Sequence, residues 1–276
     1  MTAGARRSIT GVLRQATKAS AAAVDRLRPP PTGIVVLIYH RVGAGSGGQM
    51  DLPVARFDEQ LRWLVEHHRV LDLDTADAEL AGGGPVEPGV VITFDDGTTD
   101  WVDHVLPALE RHRVPATCYV ATDFVDRQLS FPADGRPLSW NGVRELADSD
   151  LVTIGSHTHT HALLDRLPAG EVADELDRSV ELLGEHTGAS VEHFAYPKAV
   201  AGSPVAEQAV RERFRTAVLA GTVANGPGTD PHRLARSPIQ AADGPQWFRL
   251  KAGGGLRHED TLRDTVNRFR YRNATT

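Results

Sequence analysis

Two adjacent carboxylates and a cluster of histidines are the residues of this sequence whose types and spacing could do chemistry. Asp95 and Asp96 directly follow an apolar, β-branched run, at the point where a buried strand would end. His157, His159 and His161 alternate along a stretch that follows a second apolar run. On a helical turn two of these imidazoles would point the same way, whereas in an extended segment all three would share one face. Two imidazoles and a carboxylate are typical of a catalytic metal site, which keeps positions open for water and substrate.

The carboxylate pair is best explained by two different tasks. A metal lowers the pKa of a bound water, but the attacking water still needs a base to accept its proton. Adjacent side chains at a strand end point in different directions, so one aspartate can bind the metal while the other faces the water. A divalent cation relieves their mutual repulsion, and Gly97 lets the backbone turn sharply beside them.

The elements that would position these residues alternate between strands and helices. Near-continuous apolar runs predict strands, and between them apolar residues recur at helical spacing. The predicted strands lie at 33–40, 69–73, 89–94, 115–120, 151–156, 193–196 and 216–220. About seven such units predict an α/β protein in which a parallel, incomplete (β/α) barrel forms a single domain. Beyond Arg233 this pattern ends.

Chemistry in a parallel barrel gathers at the carboxyl ends of the strands, where the loops converge. Besides the aspartates and histidines, the first predicted strand ends in His40, and the sixth ends in Tyr196, Pro197 and Lys198. Two of these residues also have a simpler interpretation, since His40 could cap its strand and Lys198 could be a solvated lysine.

Length, composition and charge indicate an ordinary globular protein. The chain has 276 residues, of which 41% are hydrophobic and 24% charged. Its net charge of −6 gives no reason to expect nucleic-acid binding. The single cysteine, Cys118, excludes an internal disulfide and a cysteine-built metal site, and its apolar neighbours predict a core position. No stretch approaches the roughly 18 uninterrupted apolar residues of a membrane span.

Three segments are predicted: a basic amphipathic leader (1–31), the barrel (32–245) and a basic helical tail (246–276). Residues 1–28 contain six Lys or Arg and one Asp, a net charge of +5, so the remainder carries −11. The leader fits a basic helix on an anionic membrane surface, but also a helix packed on the barrel or a partly disordered segment. Because charged residues interrupt its apolar run, we expect no cleavable signal peptide, and a cytoplasmic location or a peripheral one at the inner membrane face.

Several short motifs occur in the order typical of the polysaccharide deacetylase family, the NodB-homology group of carbohydrate esterases. They are IYHRV (38–42), TFDDG (93–97), PATCYV (115–120), LSW (138–140), SHTHTH (156–161) and FAYP (194–197). The first of them resembles the branch that contains the poly-N-acetylglucosamine deacetylases. The resemblance covers roughly residues 33–240 and implies a distorted, incomplete (β/α) barrel that removes an acetyl group, usually an N-acetyl group, from a sugar or glycan.

The resemblance also implies a role for most of the candidate residues. Asp95 would be the general base, and a divalent cation, with Zn²⁺ as the expected ion, would be bound by Asp96, His157 and His161. His159 falls on a variable position of the histidine motif and is not expected to be a ligand. The residues expected to contact the substrate are Trp140, Tyr196, Pro197 and Lys198.

Two features depart from the family's pattern. In the family's third motif, Ala195 stands where members often carry an arginine and Lys198 where they often carry an aromatic residue. The arginine usually positions the base, and Arg236, in RLARSPI, is the candidate to replace it. The family's late leucine-x-histidine motif, which supplies the general acid in many members, has no convincing match. The candidates for that proton donor are His40, His232 and His258.

Other functions are compatible with the same ligand set. Non-haem iron oxygenases also use two histidines and a carboxylate, but they are usually β-rich. An amidase acting on a non-sugar C–N bond would use a similar barrel, and a non-catalytic carbohydrate-binding relative would explain the missing arginine and acid. We therefore expect metal-dependent hydrolysis of an N-acetylated sugar or glycan, with these three alternatives open.

Overall fold

The computed structural model describes residues 3–27, 29–257 and 259, and within these ranges it describes side chains from Gln15 onwards. The predicted tail beyond residue 259 and the candidate proton donor His258 lie outside the described residues. None of the described helices is both long enough and apolar enough to cross a membrane.

Seven of the ten strands that the structure describes form a parallel barrel. The ten strands are β1 (Ile34–Tyr39), β2 (Arg41–Val42), β3 (Asp51–Leu52), β4 (Val70–Leu71), β5 (Gly89–Phe94), β6 (Ala116–Val120), β7 (Val152–Ser156), β8 (His193–Ala195), β9 (Thr216–Ala220) and β10 (Leu234–Pro238). Of these, β2 and β3 pair in a separate two-stranded sheet. A ring of seven runs in the order β1, β5, β6, β7, β8, β9, β10. It closes because β1 pairs with β10 along one edge and with β5 along the other. The prediction of an α/β barrel of seven parallel strands is confirmed.

One member of the ring differs from the sequence prediction. β4, predicted as a barrel strand, is two residues long and pairs with Val90 and Val91 of β5 outside the ring. β6 occupies the rest of the same edge of β5, starting at Thr93, and so excludes β4 from the ring. The seventh place is taken by β10. Its sequence, LARSP, does not predict a buried strand, because an arginine, a serine and a proline interrupt the apolar pattern.

The helices lie between the strands along the chain and cover the barrel. They are α1 (Ala3–Leu27), α2 (Val54–His67), α3 (Leu73–Ala81), α4 (Leu106–His112), α5 (Thr122–Arg127), α6 (Trp140–Ala147), α7 (Ala169–Thr187), α8 (Pro204–Arg213) and α9 (Pro245–Ala252). A π-helix, Trp101–Val105, leads into α4. Ser139 and Ser203 begin α6 and α8 as caps, since each side chain accepts a hydrogen bond from a backbone N–H of the first turn.

Two apolar layers hold the helices and strands together, because side chains of a strand alternate between its two faces. On β1, Val35, Leu37 and Tyr39 belong to the outer layer, between the barrel and the helices. Ile34 and Val36 belong to the inner layer, to which α3 adds buried apolar side chains. Because α3 follows β4 at the amino-terminal end of the barrel, the opposite end, where the strands finish, is the one available for a site.

The part of α1 whose side chains are described, from Gln15 onwards, packs against the barrel through buried polar contacts. Lys18 is 1% exposed and forms an ion pair with Asp243, which also accepts a hydrogen bond from Lys251 of α9 at 2.8 Å. Asp25 accepts a hydrogen bond from the backbone N–H of Leu256. Of the arrangements considered for the leader, the helix packed on the barrel is therefore the one that the structure shows for this part of α1.

Candidate metal centre and active site

The ends of the barrel strands bring the two aspartates and the histidine segment to one face. Asp95 and Asp96 follow β5 directly, and His157 follows β7. Asp96 and Gly97 both have a φ of 80°, in a region that aspartate tolerates better than most residues and that glycine adopts freely. As a result of this turn, the two neighbouring carboxylates have different partners.

Asp96, His157 and His161 form a cluster that could hold a metal ion. One ligand atom of each lies within 4.8 Å of the others. The Oδ1 atom of Asp96 is 3.9 Å from Nε2 of His157 and 3.6 Å from Nε2 of His161. In the part of the chain that the structure describes, this is the one group of three or more possible ligands with such a geometry.

Hydrogen bonding fixes which nitrogen of His157 faces the cluster. Its Nδ1 atom lies 2.8 Å from the carbonyl oxygen of Ala195, which can only accept, so Nδ1 carries the proton and Nε2 presents a lone pair. Burial lowers the pKa of His157 to about 4, and burial together with Lys198 lowers the pKa of His161 to about 4. Both rings are therefore neutral near pH 7. Neutral imidazoles and a carboxylate that converge on one point fit a divalent cation.

Asp95 is held by Arg236, the residue that the sequence offered in place of the missing arginine. Nη1 donates to Oδ1 at 2.6 Å and Nη2 donates to Oδ2 at 2.9 Å, and both side chains are almost completely buried. Burial raises the pKa of the Asp95 carboxyl, but the positive charge and the hydrogen bonds of Arg236 outweigh burial and hold this pKa below its ordinary value. Asp95 is therefore ionised and fixed in orientation.

Residues that sequence reasoning missed support the Arg236 guanidinium inside the barrel. The guanidinium carbon lies 5.3 Å from the centroid of the Tyr119 ring, and Nη1 donates to Thr93 Oγ1 at 3.0 Å. Gly155 leaves room for the tyrosine ring, because a Cβ atom at this position would lie 2.5 Å from it. Tyr119 lies within the motif PATCYV, but the sequence around Tyr119 and Gly155 does not reveal these contacts, because they depend on strands that become neighbours only in the folded barrel.

His40 stands at the end of β1, beside the same cluster. Its side chain is half-buried, and its Nδ1 atom is buried without a hydrogen-bond partner among the described residues. Interaction with His40 lowers the pKa of both Asp95 and His161, so the ring lies near that carboxylate and the three-residue cluster. His232, another candidate proton donor, is engaged elsewhere, because its Nε2 atom donates to the carbonyl oxygen of Phe214 at 2.8 Å.

Two of the predicted substrate contacts have their side chains engaged outside the metal cluster. Tyr196 is almost completely buried and packs in the outer apolar layer. Trp140 stacks on His186 of α7, with 3.9 Å between ring centroids, and donates to Asp126. If these residues contribute to substrate binding, they do so by supporting the strand and loop ends rather than by facing the cluster.

Of the remaining candidates, Lys198 lies near the cluster. Pro197 and Lys198 form the start of a short 3₁₀ helix that is separated from β8 by one residue, and Lys198 is near enough to His161 to lower its pKa. His159 lies between the two ligand histidines in sequence, but its Nδ1 atom is 2.9 Å from Thr122 Oγ1. It is absent from the three-residue cluster, in keeping with its variable position in the motif.

Comparisons with known proteins point to one family. The family model described as polysaccharide deacetylase matches residues 82–216. The poly-beta-1,6-N-acetyl-D-glucosamine N-deacetylase of Escherichia coli (strain K12) is 31% identical over 144 residues, which cover 47% of this chain and 21% of that protein. The putative polysaccharide deacetylase YxkH of Bacillus subtilis (strain 168) is 25% identical over 169 residues, which cover 60% of this chain and 57% of that protein. The chain thus spans less than two thirds of either relative.

A solved structure extends the similarity beyond the matched segment. The structure of IcaB from Ammonifex degensii superposes with a TM-score of 0.70 at 27% identity, and the match covers 82% of this chain and 98% of that chain. The shared barrel, the domain match and these relatives together show that the chain contains a polysaccharide deacetylase domain, similar to the branch of the poly-N-acetylglucosamine deacetylases.

Proposed function

We propose that this chain is a metal-dependent N-deacetylase that hydrolyses the acetamide group of N-acetylated hexosamine units in a glycan. The observation that carries the proposal is the cluster of Asp96, His157 and His161, which lies beside the ion pair of Asp95 and Arg236. We propose Zn²⁺ as the ion, because two imidazoles and one carboxylate are a typical catalytic zinc ligand set with an open position. The family supports a carbohydrate substrate.

Each residue of the site has a distinct task in this proposal. A divalent cation held by the three ligands would lower the pKa of a bound water and polarise the acetyl carbonyl group. Asp95, oriented by Arg236, accepts the proton of the attacking water. His40 donates a proton to the amine nitrogen as the C–N bond breaks, and its position beside Asp95 and His161 supports this role. The products are acetate and an amino sugar.

The low pKa of Asp95 explains why the two aspartates must be neighbours. A carboxylate whose pKa is below its ordinary value stays ionised at neutral pH but is a weak proton acceptor. Asp95 would therefore accept a proton efficiently only from a water whose pKa a cation held by Asp96, His157 and His161 would lower. Adjacent positions in the chain keep the weak base and the metal ligand, Asp96, next to each other.

The substrate class rests on the relatives and on the accessibility of the site. The Escherichia coli relative is named for poly-beta-1,6-N-acetyl-D-glucosamine, and the alignment covers 21% of it. The side chains of Asp96 and His161 are 14% and 19% exposed at the mouth of the barrel, so a substrate can reach the ligands from solvent. We therefore propose an acetylated glycan, approached from outside the barrel, as the substrate.

Acetate release tests this proposal. The purified chain, stripped with a chelator and reloaded with Zn²⁺, should release acetate from N-acetylglucosamine oligomers. Asp95→Asn should bind Zn²⁺ like the unaltered chain and lose about a hundredfold or more in kcat, the usual contribution of a general base. Asp96→Ala should lose the metal, and Asp103→Asn, an exposed carboxylate, is the control. Full activity of Zn²⁺-loaded Asp95→Asn would show that Asp95 is not the base.

The same assay separates the alternative functions. Hydrolysis of cyclic amides or ureides without acetate release from sugars would indicate an amidase. Glycan binding without turnover would indicate a non-catalytic relative. Turnover that required Fe²⁺ and 2-oxoglutarate would indicate an oxygenase.

We also propose that the chain acts in the cytoplasm or at the inner membrane face. The basic residues of α1 support this location, among them Arg6, Arg7 and Arg14. Cell fractionation, together with sedimentation of the chain with anionic vesicles, tests both parts. If charge reversal of Arg6 and Arg7 leaves vesicle binding unchanged, the membrane part is wrong.

A further inference from the structure

Arg41, the residue after His40 in the IYHRV motif, is a buried cation that the proposed reaction does not use. Its side chain is 7% exposed. Nη1 donates to the carbonyl oxygen of Ala133 at 3.1 Å, and Nη2 donates to that of Pro132 at 2.7 Å. Among the described residues, no carboxylate forms an ion pair with it within 4.0 Å. Because burying an arginine is costly, its two carbonyl partners indicate a specific structural task.

The segment that Arg41 binds is a tight turn shaped around the guanidinium. Phe131 and Gly135 exchange two backbone hydrogen bonds, of 2.8 and 3.2 Å, so the turn folds back on itself. Ala133 and Asp134, at its tip, both have left-handed φ angles of 57° and 55°. A Cβ atom on Gly135 would lie 2.2 Å from Nη2 of Arg41. The guanidinium therefore lies against the face of the turn that Gly135 leaves open, and a side chain at position 135 would displace it.

The same turn carries an aromatic ring to the metal cluster. Phe131 stacks on Phe124 of α5, with 4.1 Å between ring centroids and 5° between planes. Both rings then meet His161 nearly at right angles, at centroid distances of 6.2 Å for Phe124 and 6.4 Å for Phe131. Edge-to-face contacts at this distance favour one orientation of the imidazole.

His161 needs such support because its backbone is strained. Its φ is 62°, in the left-handed region that a residue with a Cβ atom enters at a cost of about 1 kcal/mol or more. A residue of this kind keeps its conformation only where its surroundings hold it. Its Nε2 atom must also stay within reach of Asp96, 3.6 Å away, to complete the ligand set.

We propose that Arg41 is a positioning residue of the metal site, which holds the 131–135 turn so that the Phe131–Phe124 stack fixes the orientation of His161. The inference rests on the proposed function, since it assigns Arg41 to the same metal centre. It gives the motif IYHRV two tasks in adjacent residues. His40 serves proton transfer, and Arg41 serves metal binding from a distance.

Zn²⁺ binding to the metal-free chain tests the inference, with a chromophoric chelator as competitor and the visible spectrum of bound Co²⁺ as a second readout. Arg41→Met removes both hydrogen bonds, and Gly135→Ala displaces the guanidinium without removing it. Each should raise the Kd for Zn²⁺ by about tenfold or more, the usual effect of losing a residue that orients a metal ligand, and should alter the Co²⁺ spectrum. Arg41→Lys, which can still donate to the turn, should lie between Arg41→Met and the unaltered chain.

Matched controls separate positioning from general destabilisation. Arg136→Met alters an exposed arginine in the next position of the same loop, and Gly84→Ala alters a glycine with open space around it. Both should keep the Kd within twofold. If Arg41→Met and Gly135→Ala also keep the Kd and the Co²⁺ spectrum, Arg41 does not position His161. If the unaltered chain itself fails to bind Zn²⁺, the proposed function fails instead.

Should Arg41→Met fail to fold by circular dichroism, Gly135→Ala and Phe131→Leu decide the question. Phe131→Leu keeps an apolar side chain in the turn but removes the ring that meets His161. It should weaken Zn²⁺ binding to the same degree as Gly135→Ala, and the double variant should be no weaker than either single one. Fully additive losses would contradict a common route through the turn.

Discussion

Asp95 and Asp96 are neighbours in the chain, yet their surroundings differ in kind. Asp95 is buried and paired with a guanidinium at two oxygens, whereas Asp96 faces two neutral imidazoles. The guanidinium keeps Asp95 ionised and fixed in orientation, as a proton acceptor requires. Asp96 has no positively charged partner among these contacts, and a bound cation would supply one. The difference follows from one backbone turn at Asp96 and Gly97, where both residues adopt left-handed φ angles.

At the scale of single residues, replacing Arg236 tests how far Asp95 depends on its partner. Arg236→Met leaves a buried carboxylate without its counter-ion, which costs about 3–5 kcal/mol of the free energy of unfolding. Urea unfolding should show this loss, and Arg236→Met combined with Asp95→Asn should recover part of it. Equal stability of the single variant and the unaltered chain would contradict the buried ion pair. In the folded fraction, kcat should fall about a hundredfold because the base is misplaced.

Residue types and spacing predicted that aspartates and histidines would meet, and the family resemblance selected Asp96, His157 and His161 among them. The adjacent aspartates and the spacing of His157 and His161 follow from the chain itself, and the structure gathers Asp96 with these two histidines. Tyr119, Gly155 and the aromatic pair beside His161 could not be predicted, because an ordinary apolar or glycine position carries no sign of the neighbour it will meet. Tyr196 shows the reverse case, since a residue of a recognisable motif turns out to be buried in the apolar layer.

At the scale of elements, periodicity predicted the strands with apolar sequences and failed where the barrel needs polar ones. β10 carries Arg236 into the interior, so its sequence does not look like a buried strand. β4 has the apolar pattern but only two paired residues, because β6 occupies the rest of the β5 edge. For α1, the amphipathic pattern fitted several arrangements, and the buried contacts of Lys18 and Asp25 distinguish between them.

The docking of α1 should depend on Asp243, which lies between Lys18 and Lys251. Burial raises the pKa of the Asp243 carboxyl, but the two lysines outweigh burial and hold this pKa below its ordinary value. Asp243→Asn leaves both buried ammonium groups without this carboxylate, and we expect a loss of about 3 kcal/mol in urea unfolding. It should also expose α1 to limited proteolysis.

The matched control for this prediction is a carboxylate in a surface ion pair. Asp177 pairs with Arg213 and has a side chain that is mostly exposed, so Asp177→Asn should cost no more than about 1 kcal/mol. Similar losses for the two variants would show that the contact between α1 and Asp243 adds little to stability.

At the scale of the whole molecule, the site makes the metal-free chain sensitive to acid. The pKa values of His157 and His161, about 4 in the folded chain, lie below the ordinary value of 6.5. The unfolded chain therefore binds more protons than the folded one between these limits, and stability falls as the pH drops through this window. The loss is on the order of 3 kcal/mol for each ring by pH 4.

Urea midpoints of the metal-free chain, measured from pH 7 down to pH 4.5, test this expectation. His157→Asn removes one of the two groups and should show a shallower decline over the same range. A midpoint that does not change with pH in the unaltered chain would mean that the two rings are not buried in neutral form.

The pairing of β1 with β10, called here the seam, joins the first and last strands of the barrel. It also brings residues from the beginning and the end of the barrel sequence to the same site. Both aspartates and both ligand histidines lie within residues 82–216, whereas His40 and Arg236 flank that segment on opposite sides. Register across the seam sets Arg236 opposite Val36, four residues before His40. If the seam opened, Asp96, His157 and His161 would stay on strands that are still paired, but Asp95 would lose its arginine. Under the proposed function, catalysis therefore depends on ring closure, and a barrel that loosens at this seam should lose deacetylase activity before it loses the capacity to bind a cation.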